Sequence, residues 1–201
     1  MRRLLILLLA ALLVAPLTAP APARAEWVLA EPGKPVTIGK TTMRVTPSGS
    51  WNRPKRTDSG MAENWTRDGI VLNDLFIVAG MPEGWSLFES PDEEERPMPT
   101  MPAQLDIVEI PEFYESSARL ALSTSVFTIT STEPATMDGF RAIRFTFEYA
   151  FADSPLKRRG VAVGTVVMGK LYLIAYDGPA TYFFDRDLPD VEAMIASVKL
   201  S

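Results

Sequence analysis

Two residue types are missing from the 201-residue sequence: it contains neither cysteine nor histidine. The absence of Cys excludes disulfides, thiol nucleophiles and acylation of a lipobox cysteine. The absence of His excludes Ser–His and Cys–His catalytic pairs. Together the two absences remove the usual nitrogen and sulfur ligands for zinc, copper and haem. No cofactor and no metal are therefore expected. Basic residues are also outnumbered, 20 Lys and Arg against 25 Asp and Glu, and they form no basic run. Such a chain gains nothing from counterion release on nucleic acid or anionic lipid, so neither is an expected partner.

Long hydrophobic runs are scarce too, with one exception at the N-terminus. Arg2 and Arg3 precede an apolar stretch from Leu4 to Leu17, broken only by Pro16, and Ala23-Arg24-Ala25 follows. A charged start, a short apolar segment and small residues at the cleavage positions are the marks of a secretory signal. The apolar run is shorter than the ~20 residues needed to cross a bilayer. The reading is a Sec-type signal over residues 1–25, cleaved before Glu26, and a periplasmic or secreted protein without stable membrane insertion. Loss of Arg2, Arg3 and Arg24 with the signal takes the net charge from −5 to −8. The remaining 176 residues, 26–201, suit a single domain.

What is present is turn chemistry and alternation. Asp68-Gly69 and Asp138-Gly139 are two-residue hairpin signals, and Gly39-Lys40 and Gly169-Lys170 fit the type with Gly first. Ile143, Phe145, Phe147, Tyr149 and Phe151 alternate with Arg144, Thr146 and Glu148, which predicts a half-buried antiparallel strand. Leu171 to Tyr176 is apolar on both faces, as a central strand would be. "NWTRDGIVLN" reads as a hairpin with strands at 62–66 and 70–79. Val191, Met194, Ile195 and Val198 place one stripe on a C-terminal helix, with Asp187 as its N-cap and Pro189 in its first turn. A second helix is expected near Pro111, carrying Phe113, Ser117 and Leu120, and "TYFFDRD" as a short turn before the last helix. Residues 89–102, with four Pro and the acids Asp92–Glu95, read as a solvated loop. The expected class is α+β: an antiparallel meander of hairpins flanked by helices.

The strings "WTRDGIVLN" and "LKRRGVAVGTVVMGKLYLIAYDGPATYFFDRDLPDVEAMIASVKL" resemble a group of small exported bacterial proteins of unknown function. The "GKLY" strand, the "YF" step and the closing "SVKL" resemble the PsbP-like α/β/α sandwich, named for an extrinsic subunit of photosystem II. The resemblance implies a fold and a non-catalytic accessory role beside a larger assembly, here an envelope protein. It transfers no catalytic residue, and lipid tethering found in several relatives lacks its Cys here.

Three catalytic look-alikes are set aside. "GKPVTIGKTT" puts five residues, not four, between Gly33 and Gly39 and leads into a strand-like segment, unlike a phosphate loop. Ser154 and Lys157 have dyad spacing, but Ser154 precedes Pro and the companion motifs are missing. Asp92–Glu95 lack the interleaved Gly or Asn of a calcium loop. No catalytic residue is assigned. Trp65, Asn73, Arg158, Arg159 and Tyr182 are the candidate partner or ligand contacts, because aromatics beside Arg often anchor recognition surfaces. Two alternatives have structural signatures. A carboxylate hydrolase needs a pocket with two acids, one of raised pKa, and a small-ligand carrier needs an apolar cavity.

Overall fold

The computed structural model describes residues 27–57, 60–90, 96–124, 126–151, 154 and 156–201. The signal and the run Asp92–Glu95 lie outside them. The described chain is mostly antiparallel sheet with two helices. Short strands come first: β1 Trp27–Ala30, β2 Val36–Thr37, β3 Arg44–Val45 and β4 Trp51–Pro54, with β1 pairing β4 and β2 pairing β3. The main sheet holds β5 Ala62–Trp65, β6 Asp74–Met81, β7 Phe127–Met137, β8 Phe140–Tyr149, β9 Arg158–Val167 and β10 Lys170–Pro179. Helix α1, Ile110–Ala121, lies between β6 and β7, and α2, Phe183–Ala196, closes the chain. The sheet order is β5-β6-β10-β9-β8-β7, so four consecutive hairpin-linked strands join the earlier pair through β6 and β10.

Alternation along these strands divides the core in two. Leu75, Ile77, Val161, Val163, Ile174 and Tyr176 pack with Val191, Met194 and Ile195 of α2. Phe76, Val78, Phe145, Phe147, Ala162 and Leu173 pack with Ile110, Phe113 and Tyr114 of α1. Strand β9 turns Gly160, Ala162 and Gly164 toward α1, and larger neighbours occupy that space. A Cβ on Gly160 would stand 2.0 Å from the Phe147 ring, and one on Gly164 3.0 Å from Ile110.

The strand alternation at 140–151 holds through Tyr149, and the doubly apolar run becomes β10, third of six strands. The Asp138-Gly139 turn is as read, with positive φ of 48° and 82° between the paired Met137 and Phe140. The other turns differ. Val167 pairs Lys170, so Met168 and Gly169 are the central residues, at φ 51° and 70°. The register that buries Leu171 and Leu173 outweighs the reluctance of Met to adopt positive φ. Gly39-Lys40 lies in a longer connection closed by Ile38 donating to the Met43 carbonyl at 3.0 Å. The first hairpin opens into a wide loop, because β5 ends at Trp65 and β6 begins at Asp74.

Helix α1 starts beside Pro111 and buries Phe113 and Ser117 as read. Helix α2 starts five residues earlier than a cap at Asp187 implies, so Phe183 and Phe184 enter the helix. Phe184 stacks on Tyr176 at 5.6 Å, which makes the extra turn worth forming. Asp187 is consequently inside the helix and not its cap, and Pro189 is internal.

Gly160→Ala tests the tight layer under α1. The added methyl is expected to cost about 1–3 kcal/mol by overpacking against Phe147, read as a lower urea midpoint at unchanged slope. An unchanged midpoint would mean that the ring moves aside freely.

Candidate functional site

The sequence-derived candidates separate onto the two faces of the sheet. On the α2 side, Trp65 and Asn73 are both 0 % exposed. Trp65 donates its indole N–H to Glu63 at 2.7 Å, and Glu63 also receives Arg53. The Asn73 carboxamide organises the wide loop. Its oxygen accepts from the Thr66 hydroxyl at 2.7 Å and from the backbone N–H groups of Arg67 and Asp68. Its amide donates to Asp68 at 2.7 Å and to Asp187 at 3.0 Å. Asp187 is itself fully buried and takes Arg67 at 2.9 Å and Arg186 at 2.6 Å. Arg186 also pairs Asp68 and holds its carboxyl below the ordinary range.

Loop 66–73 is thus fastened to α2 by charges that neutralise one another, and Asp187 does this from inside the helix. Arg159 belongs to the rim of this side, pairing Asp185 at 2.6 Å and lying over Phe184. Tyr182, 59 % exposed, precedes α2. These two are the accessible members of the α2-side group.

Arg158 lies elsewhere. It is buried on the α1 side, where a cavity of about 300 Å³ opens between the sheet, α1 and the tip of the wide loop. Seven aromatic side chains line it: Phe76, Phe88, Tyr114, Phe127, Phe147, Tyr149 and Phe151. Exposed Ile70 and Val71 form its lip. Asn64, Phe76 and Phe88 also line an adjoining groove of about 1060 Å³ that runs toward Trp27 and Trp85.

Two carboxylates stand in the cavity wall. Asp74 and Asp177 are register partners across β6 and β10, so both side chains leave the same face of the sheet. Arg158 bonds Asp177 at 2.6 and 2.7 Å, and the Tyr149 hydroxyl donates to the same oxygen at 2.9 Å. Arg158 further donates to the Val71 carbonyl and lies 5.7 Å from the Tyr149 ring. Among the described residues, Asp74 accepts only the Asn64 amide, at 2.9 and 3.1 Å, and no Lys or Arg pairs it.

Burial and then the Asp177 charge push Asp74 up to about 7. Burial also raises Asp177, against the pull of Arg158. Because Asp177 has Arg158 and Tyr149 to hold its charge, Asp74 is the member that takes up a proton as pH falls. Burial raises Tyr114 and Tyr149 as well, so both hydroxyls stay neutral.

No protein-family model and no curated protein matches the sequence. Among solved structures, cyanobacterial PsbP (CyanoP) from Synechocystis sp. PCC 6803 superposes with a TM-score of 0.56. It is 12 % identical and the match spans 93 % of this chain and 100 % of that one. The fold is PsbP-like. LpqN of Mycobacterium tuberculosis, described as involved in cell envelope biogenesis, is 13 % identical over 82 % of each chain, with a TM-score of 0.34. At 12 % identity the likeness to CyanoP is one of fold alone.

The cavity residues other than Arg158 escaped sequence reasoning. A signal was available: "DLFIVAGM" and "LYLIAYD" each carry one acid at the end of an otherwise apolar strand. An acid there is expensive unless something answers its charge. Among the described residues, no three acidic side chains gather as a metal site.

Two variants test these assignments. Asp187→Ala leaves Arg67, Arg186 and Asn73 without their shared acceptor, and a loss of about 3–5 kcal/mol is expected in denaturant melts. Asp74→Asn acts in the opposite direction. The folded protein keeps the Asp74 proton up to about 7, whereas the unfolded chain releases it near ~4. Stability of the wild type should therefore fall as pH rises between those values. The variant should lose that slope and be more stable at pH 8 by the order of 1–2 kcal/mol. Parallel pH profiles for the two proteins would contradict the assignment.

Proposed function

We propose that this chain is an exported, non-catalytic binding module of α/β/α layout that serves an envelope protein assembly as an accessory and takes an apolar ligand group into the α1-side cavity. The observation that carries the reading is the cavity itself. Most of the sheet is covered to close packing, yet about 300 Å³ between α1, the strands and the wide loop stays open and lined by aromatic rings. Ligand sites have this composition: mostly apolar walls with a few convergent polar groups.

The Asp68-Gly69 loop commits its polar groups to α2, so recognition is placed on the other face. Export rests on the leader. Among the described residues, no helix is long and apolar enough to cross a membrane.

One observation favours a second reading, a carboxylate hydrolase. Two acids line one cavity and Asp74 is pushed up to about 7, where a carboxyl can act as a general acid. Against it, Asp177 is clamped by Arg158 and Tyr149 through one oxygen. Turnover of an envelope substrate that disappears in Asp74→Asn would establish the hydrolase and displace the binding module.

The binding reading is tested with Nile red, a neutral dye that brightens in apolar surroundings. Saturable binding is expected, and Ala121→Phe, which fills the rim of the cavity from the last turn of α1, should abolish it. The melting temperature should stay within a few degrees. Undiminished binding to the folded variant, or none to the wild type, would remove the cavity as the site.

A further inference from the structure

Charge is where the cavity is out of balance. Among the described residues, two carboxylates line it, Asp74 and Asp177, and one cation, Arg158. The guanidinium is already committed to Asp177 and to the Val71 carbonyl. Asp74 has a neutral amide, Asn64, as its partner. With both acids ionised the site is therefore one positive charge short, in surroundings where charge is poorly screened. The aromatic walls strengthen that preference, because ring faces attract cations and give nothing to an anion.

An anionic ligand would have to displace Asp177 from Arg158 and then face Asp74. A neutral ligand would leave Asp74 unanswered. A cation answers the deficit directly.

Resting on the cavity reading above, we propose that the ligand is an organic cation: a protonated or quaternary amine whose charge sits against the Asp74 carboxylate among the aromatic walls, with its apolar remainder in the adjoining groove. Asn64, Phe76 and Phe88 line both hollows, so the groove lies directly beside the cavity. Asn64 holds both Asp74 oxygens and acts as a positioning residue. The groove adds Trp27, Met61, Trp85 and Met98, side chains suited to an unbranched apolar chain.

Protonation of Asp74 competes with the ligand. The groups that act on its charge are Asp177 and Arg158 from the neighbouring strands and the Asn64 amide beside it; Tyr114 of α1 and Tyr149 of β8 stay neutral. As pH falls below about 7, Asp74 gains a proton and the counter-charge is lost. Cation affinity should then drop by up to about tenfold per pH unit.

The test is calorimetric titration of the purified protein with three octyl compounds of equal chain length: octyltrimethylammonium, octyl sulfate and 1-octanol. Octyltrimethylammonium is expected to bind at least about tenfold more tightly than the other two at pH 8. In Asp74→Asn its affinity should fall to that of 1-octanol and lose its pH dependence, while Asp74→Glu should restore part of both. Because the Asn variant is expected to be the more stable protein at that pH, lost binding would not reflect unfolding. If 1-octanol or octyl sulfate binds as tightly, the cation inference is overturned and the apolar-ligand cavity stands. If none of the three binds, the cavity reading itself fails.

Discussion

The register between β6 and β10 governs the rest of the structure. These strands join the first part of the chain to the last four-strand run, and their pairing sets Leu75 opposite Tyr176 and Asp74 opposite Asp177. A shift of one residue would exchange the two faces of β6, sending Phe76 and Val78 toward α2 and Leu75 and Ile77 toward α1. It would also move Asp74 away from the cavity. Burial on both sides of the pair makes that shift costly, so the same packing that stabilises the sheet holds the two acids in one place. Gly160 and Gly164 complete the arrangement by letting Phe147 and Ile110 lie close over β9.

The two faces treat polar groups in contrasting ways. On the α2 side every buried acid of the loop network has a partner: Asp187 takes Arg67, Arg186 and Asn73, and Glu63 takes Arg53 and Trp65. Such a network holds a loop in one conformation and leaves no charge for a visitor. On the α1 side Asp177 has a cation as partner, Arg158, and Asp74 has only the neutral Asn64 amide. A carboxyl kept in a costly environment, beside an open aromatic cavity, is more informative about function than a satisfied one. Stability and recognition are in this way assigned to opposite faces of one sheet.

Much of the frame was legible before any coordinates. Strand β8 announced itself by alternation, β10 by being apolar on both faces, and α2 by the spacing of Val191, Met194 and Ile195. Local patterns of this kind are set by which residues must be buried. The Met168-Gly169 turn was misplaced by one residue because strand register, a long-range property, overruled the local glycine signal. Asp187 looked like a cap because capping statistics favour Asp at helix starts, whereas the stacking of Phe184 on Tyr176 moved the start upstream. Trp65 and Asn73, candidate partner or ligand contacts, lie wholly inside. Of the candidates, Arg158 alone lines the cavity. Asp74 and Asp177 are 103 positions apart in sequence, and their meeting depends on a pairing that no local pattern encodes.

The most direct measurement is an NMR titration of the Asp74 side-chain carboxyl carbon, in the free protein and with octyltrimethylammonium present. The expected midpoint in the free protein is about 7, moving downward when the cation binds and stabilises the ionised form. A midpoint near that of an ordinary aspartate, unmoved by the cation, would contradict the idea that Asp74 is an enclosed charge awaiting a partner.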